Sequence, residues 1–194
     1  MLECQAKVSP YFQAIALLDS VQFEEMRELA LTKNNLSLVP AVHFQELPLH
    51  RLTRLELTHC NLGALHLLPL FASLATSSSS VRHLLLRAAP LSTVPSAHMA
   101  AAVDNLETAS MVDCRITDNQ AEQTFEVLRE NVSLKEINLS QNHLSTVKPA
   151  VMARVVNRLE KANLSHCSLT RGQVVQRLVF TPGVVTCIMS QTKL

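Results

Sequence analysis

"CRITDNQAEQTFEVLRENVSLKEINLSQNHL" runs from Cys114 to Leu144, and its last eleven residues decide the fold. "LKEINLSQNHL" (134–144) sets apolar residues at slots 1, 4, 6 and 11 of a short template, with Asn142 at slot 9. The same template, L-x-x-L-x-L-x-x-N/C-x-L, fits seven times if Val, Ile, Met, Ala or Cys can stand for leucine. The fits start at residues 26, 52, 81, 106, 134, 159 and 184, separated by 26, 29, 25, 28, 25 and 25 residues. A period of this length marks a stacked repeat architecture.

Slots 4 and 6 lie two apart, so they share one face of a short strand while slots 3, 5 and 7 face away. Helical stretches connect the strands. "DNQAEQTFEVLREN" (118–131) follows Thr117, a good N-cap, and "KPAVMARVVNRL" (148–159) carries Pro149 at an early turn, where its missing N–H is harmless. "GALHLLPLFASLATSSSS" (63–80) reads as helical at its two ends, with a kink at Pro69. No single unit can bury its apolar strand face, so the units must stack.

With this pattern the chain resembles the leucine-rich repeat family, specifically its ribonuclease-inhibitor-like class. Residues 114–144 match that class almost slot for slot. Slot 9 reads Asn34, Cys60, Ala89, Cys114, Asn142, Cys167 and Thr192, similar to the alternating repeat types of the class. The units are a few residues shorter than usual, and Ala89 and Thr192 stand where asparagine is expected. The resemblance implies an α/β fold, a right-handed solenoid bent into a horseshoe arc. About seven parallel strands would line its concave face and helices its convex face, with right-handed crossovers. Residues 26–194 form the repeat domain, and 1–25 a helical cap in which "SPYFQAIALLDSVQFEE" (9–25) has helical apolar spacing. Leu194 is slot 11 of the seventh unit, which predicts that a further chain segment or a second copy covers that edge.

"LTHCNL" (57–62) and "LSHCSL" (164–169) each put a histidine beside a cysteine, a combination that can ligate metal or build a thiol nucleophile. His59 and His166 are slot 8, Cys60 and Cys167 slot 9. Sister repeats carry Lys33–Asn34 and Gln141–Asn142 at the same slots, which no metal site requires. Cys60 and Cys167 stand four repeats apart, roughly 19 Å at the usual strand spacing, too far to share one zinc. The resemblance implies an inward slot 9 that bonds the loop leaving the strand, so Cys60, Cys114 and Cys167 are expected to be buried thiols. No phosphate loop, HExxH or CxxC occurs. The expectation is a chain that is no enzyme and takes no cofactor or metal.

With 17 Lys+Arg and 16 Asp+Glu, the net charge of +1 gives no global attraction to a polyanion. "MLECQAKVSP" is no secretory signal, and "LGALHLLPLFASLA" is too short to cross a membrane. Five cysteines, an odd count, fit no disulfide framework and point to a reducing, cytoplasmic location. Four Asn-x-Ser sequons would matter only in a secreted chain.

The outward slots of repeats two to four combine Arg54, His83, Leu85, Arg87 and Val112, an apolar centre with a basic rim, with His59 and Arg82 nearby. That is the composition of a binding hot spot. Repeats five and six present Asn138, Ser140, Asn163 and Ser165, where we assign no site. The function expected is a non-catalytic protein-protein interaction module, a scaffold or recognition domain of a larger cytosolic protein, binding a protein partner on the concave face. The alternatives are regulation of an enzyme, GTPase-activating or inhibitor-like, and RNA binding. The missing aromatics on the strand face count against RNA.

Overall fold

A computed structural model describes residues 2–3, 26–175 and 186–188 of the chain. The strands are β1 (Leu2–Glu3), β2 (Glu28–Ala30), β3 (Arg54–Thr58), β4 (His83–Arg87), β5 (Thr108–Val112), β6 (Glu136–Asn138), β7 (Lys161–Asn163) and β8 (Thr186–Ile188). They lie in one sheet in chain order, every neighbouring pair parallel. From β2 onward each strand begins at slot 3 of a template fit, and the pairing is slot for slot. Leu29 faces Leu55, Leu55 faces Leu84, Leu84 faces Ala109 and Ala109 faces Ile137. β1 was not anticipated: it lies within the stretch read as a helical cap and adds a strand ahead of the first template fit. The helix expected over 9–25, and the slots after Ile188, lie outside the described residues.

Among the described residues six helices follow the strands from β2 on: α1 (Val42–Gln45), α2 (Ala64–Leu74), α3 (Ser96–Asp104), α4 (Asp118–Leu128), α5 (Pro149–Val156) and α6 (Arg171–Val175). Slots 4 and 6 of the strands and the inner faces of the helices form one apolar core, in which Leu55, Leu84 and Ala109 meet the layer of Leu67, Phe71 and Phe125. Slots 3, 5 and 7 of β3 and β5 are only half-buried, so this face of the sheet is not covered by the helices. A leucine such as Leu55, buried completely, stabilises by about 1.5–3 kcal/mol.

The helix ends follow local chemistry. Thr117 accepts from the Gln120 N–H while the Gln120 side chain accepts from the Thr117 N–H, a closed capping box that starts α4. Pro149 occupies the first turn of α5. Pro69 differs from expectation: α2 runs unbroken from Ala64 to Leu74, and residues 75–80 are a turn rather than a second helical end. A proline six residues into a helix removes one ladder bond, here to the Leu65 carbonyl, and Leu65 is exposed to water.

The repeats alternate in two kinds. In all six described repeats slot 8 is left-handed (Lys33, His59, Ala88, Asp113, Gln141, His166). In repeats two, four and six slot 10 is left-handed as well (Asn61, Arg115, Ser168). The odd repeats turn instead through "LSLVP" (36–40), "LSTVP" (91–95) and "LSTVKP" (144–149), where the valine N–H bonds back to the leucine carbonyl. The third helical residue of each even repeat closes this odd turn from the neighbouring layer. Gln120 Nε2 donates to the carbonyls of Leu91 and Val94, both at 2.6 Å, and Gln173 Nε2 donates to those of Leu144 and Val147, both at 2.7 Å. His66 takes the same place in α2, with Nε2 at 3.0 Å from the Val39 carbonyl and Nδ1 accepting from the Gly63 N–H. These side chains are buried, and a buried amide stabilises only when fully bonded.

Candidate interaction surface on the open sheet face

Strand pairing aligns the five expected residues on three adjacent strands. Arg54 lies opposite His83, and Arg87 lies between Thr58 and Val112. Leu85, the central slot of β4, lies between Glu56 and Ser110. Arg87 is exposed, and the other four are half-buried. Arg54 is not free: its guanidinium contacts the Glu56 carboxylate at 3.1 Å. Arg82 is also engaged, with Nη1 donating to the carbonyls of Val81 at 3.0 Å and Asn105 at 3.3 Å, so it belongs to the frame of the sheet. Arg87 makes no ion pair among the described residues.

A depression in the open face lies further along than the sequence suggests. About 420 Å³ in volume, it takes in Arg54 and Leu85 but continues over Ser110, Asn138, Lys161 and Asn163. His83, Arg87 and Val112 flank it without lining it. Short side chains make the hollow: Ser110 stands level with Leu85 and Asn138 in the pairing register. Lys161 meets Glu136 at 2.5 Å, and this carboxylate holds the ammonium pKa above its usual value. At the N-terminal rim Lys135 meets Glu107 at 2.8 Å and holds that carboxyl below its usual range. The depression therefore has a neutral floor between paired charges.

Asn138 and Asn163, where the sequence assigns no site, turn their amide oxygens back to the chain. Asn138 Oδ1 accepts from the Ser140 N–H at 3.1 Å and the Ser140 hydroxyl at 2.8 Å, and Asn163 Oδ1 accepts from the Ser165 N–H at 3.1 Å. Such turns compete with sheet pairing. β6 and β7, like β2, have three residues where β3, β4 and β5 have five, and at β6 and β7 the asparagines occupy the Ser140 and Ser165 N–H groups. The "NLS" strings at 138–140 and 163–165 carried that signal.

The His–Cys pairs resolve as architecture. His59 and His166 are exposed at left-handed turns, while Cys60 and Cys167 beside them are buried free thiols, as is Cys114. Neighbouring side chains that diverge in this way cannot converge on one ion. Among the described residues, no three His, Cys, Asp or Glu side chains gather to hold a metal. The Cys167 thiol donates to the Leu139 carbonyl at 2.9 Å, and the Cys60 thiol to that of Leu31. Burial pushes the Cys60 and Cys167 pKa values up to about 11 and Cys114 up to about 12, against backbone N–H groups that point at each sulfur and lower it. These are thiols at neutral pH, not thiolate nucleophiles.

Asn142 does at slot 9 what the cysteines do not. Its Nδ2 donates to the carbonyls of Met111 at 2.7 Å and Leu139 at 2.9 Å, and its Oδ1 accepts from the N–H groups of Cys114 and Ile116 at 3.1 and 3.2 Å. It thereby closes the loop of the preceding repeat. No helix among the described residues is long and apolar enough to cross a membrane.

A comparison with curated proteins finds no match to the chain. A family model, the Leucine Rich Repeat, matches residues 133–154, which span β6 and the start of α5. Seen with the single parallel sheet and its slot-for-slot register, this match supports a leucine-rich repeat family, whose repeats are in general non-catalytic and mediate protein–protein interaction.

Proposed function

We propose that this chain is a non-catalytic protein-interaction module, a scaffold or recognition domain that binds a protein partner on the open, concave face of a horseshoe-shaped solenoid. One observation carries the reading: the open face combines a 420 Å³ depression with Leu85 at its wall and the free guanidinium of Arg87 beside it. An apolar side chain of a partner can cover Leu85 and lose its water there, while Arg87 meets a partner acceptor. The partner surface on this reading is Arg54, His83, Leu85, Arg87 and Val112, with Ser110, Asn138 and Asn163 accepting the partner's bulk. Three free buried thiols among the described residues suit a reducing, cytoplasmic compartment.

The test is quantitative affinity capture with the native chain and with Leu85→Ser combined with Arg87→Glu. Proteins retained by the native chain and lost from the double variant support the reading. An unchanged capture profile, with both chains equally folded by circular dichroism, removes this face as the partner site.

A further inference from the structure

At the N-terminal rim of the sheet, away from the depression, Arg27, His50, Arg51, Thr53 and Ser80 line a second, wide-mouthed hollow of about 680 Å³. We propose that this hollow binds a phosphate monoester carried on a side chain of a protein partner. Its lining holds two guanidinium groups, an imidazole and two hydroxyls, and no carboxylate. Elsewhere on the sheet Arg54, Lys135 and Lys161 each stand against a glutamate. Neither Arg27 nor Arg51 makes an ion pair among the described residues.

Among the described residues these guanidinium groups meet no carboxylate, and their frame is fixed. Arg51 uses Nε toward His50 Nε2 at 3.1 Å, which leaves both terminal amino groups to face solvent. Arg27 has one weak contact, Nη1 to the Met26 carbonyl at 3.5 Å. The two hydroxyls do not bind the ligand, because each already donates to the frame. Thr53 Oγ1 donates to the Arg27 carbonyl at 3.0 Å, and Ser80 Oγ donates to the His50 carbonyl at 2.8 Å. The Ser80 N–H also donates to the Leu49 carbonyl at 2.7 Å, and the Arg51 N–H to that of Pro48 at 2.9 Å. The turn that carries His50 and Arg51 is thus tied to the next repeat before any ligand arrives, which lowers the ordering cost of binding. Planar guanidinium forks on a fixed backbone match the oxygens of a phosphate.

The rim also selects against a long polyanion. Slot 2 reads Arg27, Thr53, Arg82, Glu107, Lys135 and Glu160 along the sheet, so the basic run ends at the fourth strand of this series. No phenylalanine, tyrosine or tryptophan lines the hollow to stack a base. A single phosphate on a polypeptide fits both facts, and the site stands independently of the depression around Leu85.

The test titrates the full chain with a fluorescent peptide holding one phosphoserine, its unphosphorylated form, inorganic phosphate and a single-stranded RNA. Backbone amide NMR locates any binding. The phosphopeptide should shift the signals of Arg27, Arg51, Thr53 and Ser80 and bind at least about tenfold more tightly than its unphosphorylated form, as one or two charge-assisted bonds require. Arg51→Glu should abolish the difference, and Arg51→Lys, which keeps the charge but not the fork, should reduce it. Leu85→Ser with Arg87→Glu should leave it unchanged, which separates this site from the partner face. Equal binding of the two peptides, shifts elsewhere, or persistence in Arg51→Glu overturns the proposal. Response to inorganic phosphate without preference for the phosphopeptide overturns the protein-borne source, and so does tighter, steeply salt-dependent RNA binding.

Discussion

Repeats three and five share a register and a sheet, yet they use their polar side chains in opposite ways. In repeat three, β4 pairs over five residues and is followed by Ala89 at slot 9, which offers no acceptor to the N–H groups of Cys60 and Leu62. In repeat five, Asn138 holds the Ser140 N–H beside a three-residue β6, and Asn142 binds the Met111 carbonyl and two N–H groups of the neighbouring repeat together with the Leu139 carbonyl of its own. The outward side chains of repeat three thus remain available to a partner, whereas the asparagines of repeat five are engaged by their own backbone. Polarity on a surface is no measure of availability. What matters is where each donor and acceptor already points.

The severest way to break this comparison is Asn142→Ala. It turns repeat five into the likeness of repeat three and strands the buried groups that Asn142 serves, and should cost about 3–4 kcal/mol in urea unfolding. A loss under about 1 kcal/mol would mean that Ala89 and Asn142 are interchangeable and the contrast is empty.

Alkaline titration probes repeats two, four and six, which flank these two, through their cysteines. Each folded-state thiol pKa lies above the ordinary value of 9.0, so the folded chain keeps protons that the unfolded chain releases. The stability from this source is intact below pH 9 and falls as pH rises through the folded values. The slope is about 1.4 kcal/mol per pH unit for each thiol. Cys60 and Cys167 cease to contribute near pH 11, whereas Cys114, beside Ala89, continues to about 12. Cys114→Ala should therefore flatten the slope over a wider range than Cys167→Ala, as read from urea midpoints between pH 8 and 12.

Two milder substitutions sharpen the picture. His66→Gln should change stability by less than about 1 kcal/mol, because Gln120 and Gln173 already make the same bonds one and two pairs of repeats along. Asn138→Thr removes the side-chain acceptor that interrupts β6 and supplies a strand-favouring residue. It should alter stability by only about 0.5 kcal/mol, while NMR secondary shifts report a strand lengthened towards Ser140. Unchanged shifts would assign the short strand to another cause.

The strand positions, the buried slots 4 and 6, and the N-cap at Thr117 were legible in the sequence because each follows from spacing or local chemistry. β1 was not, since a two-residue strand has no periodicity to read. The placement of the depression was missed for a similar reason: it arises from short side chains at Ser110 and Asn138, and a search for anchors passes over small residues. The bonding roles of Gln120 and Gln173 were missed although the strings "LSLVP", "LSTVP" and "LSTVKP" mark every other turn in plain view. Single-repeat alignment hides a pattern that spans two.

That alternation makes the pair, rather than the single repeat, the exchangeable module of this chain. Removing residues 81–105 alone would set the Cys60 loop beside the Cys114 loop, two turns of one kind with neither shaped to receive the other. Removing 81–133 would join the Cys60 loop to the repeat that carries Asn142, whose amide could then serve the N–H groups of Cys60 and Leu62. Recombination or design that lengthens or shortens this protein should therefore proceed in steps of about fifty residues, the period at which like joins again take place.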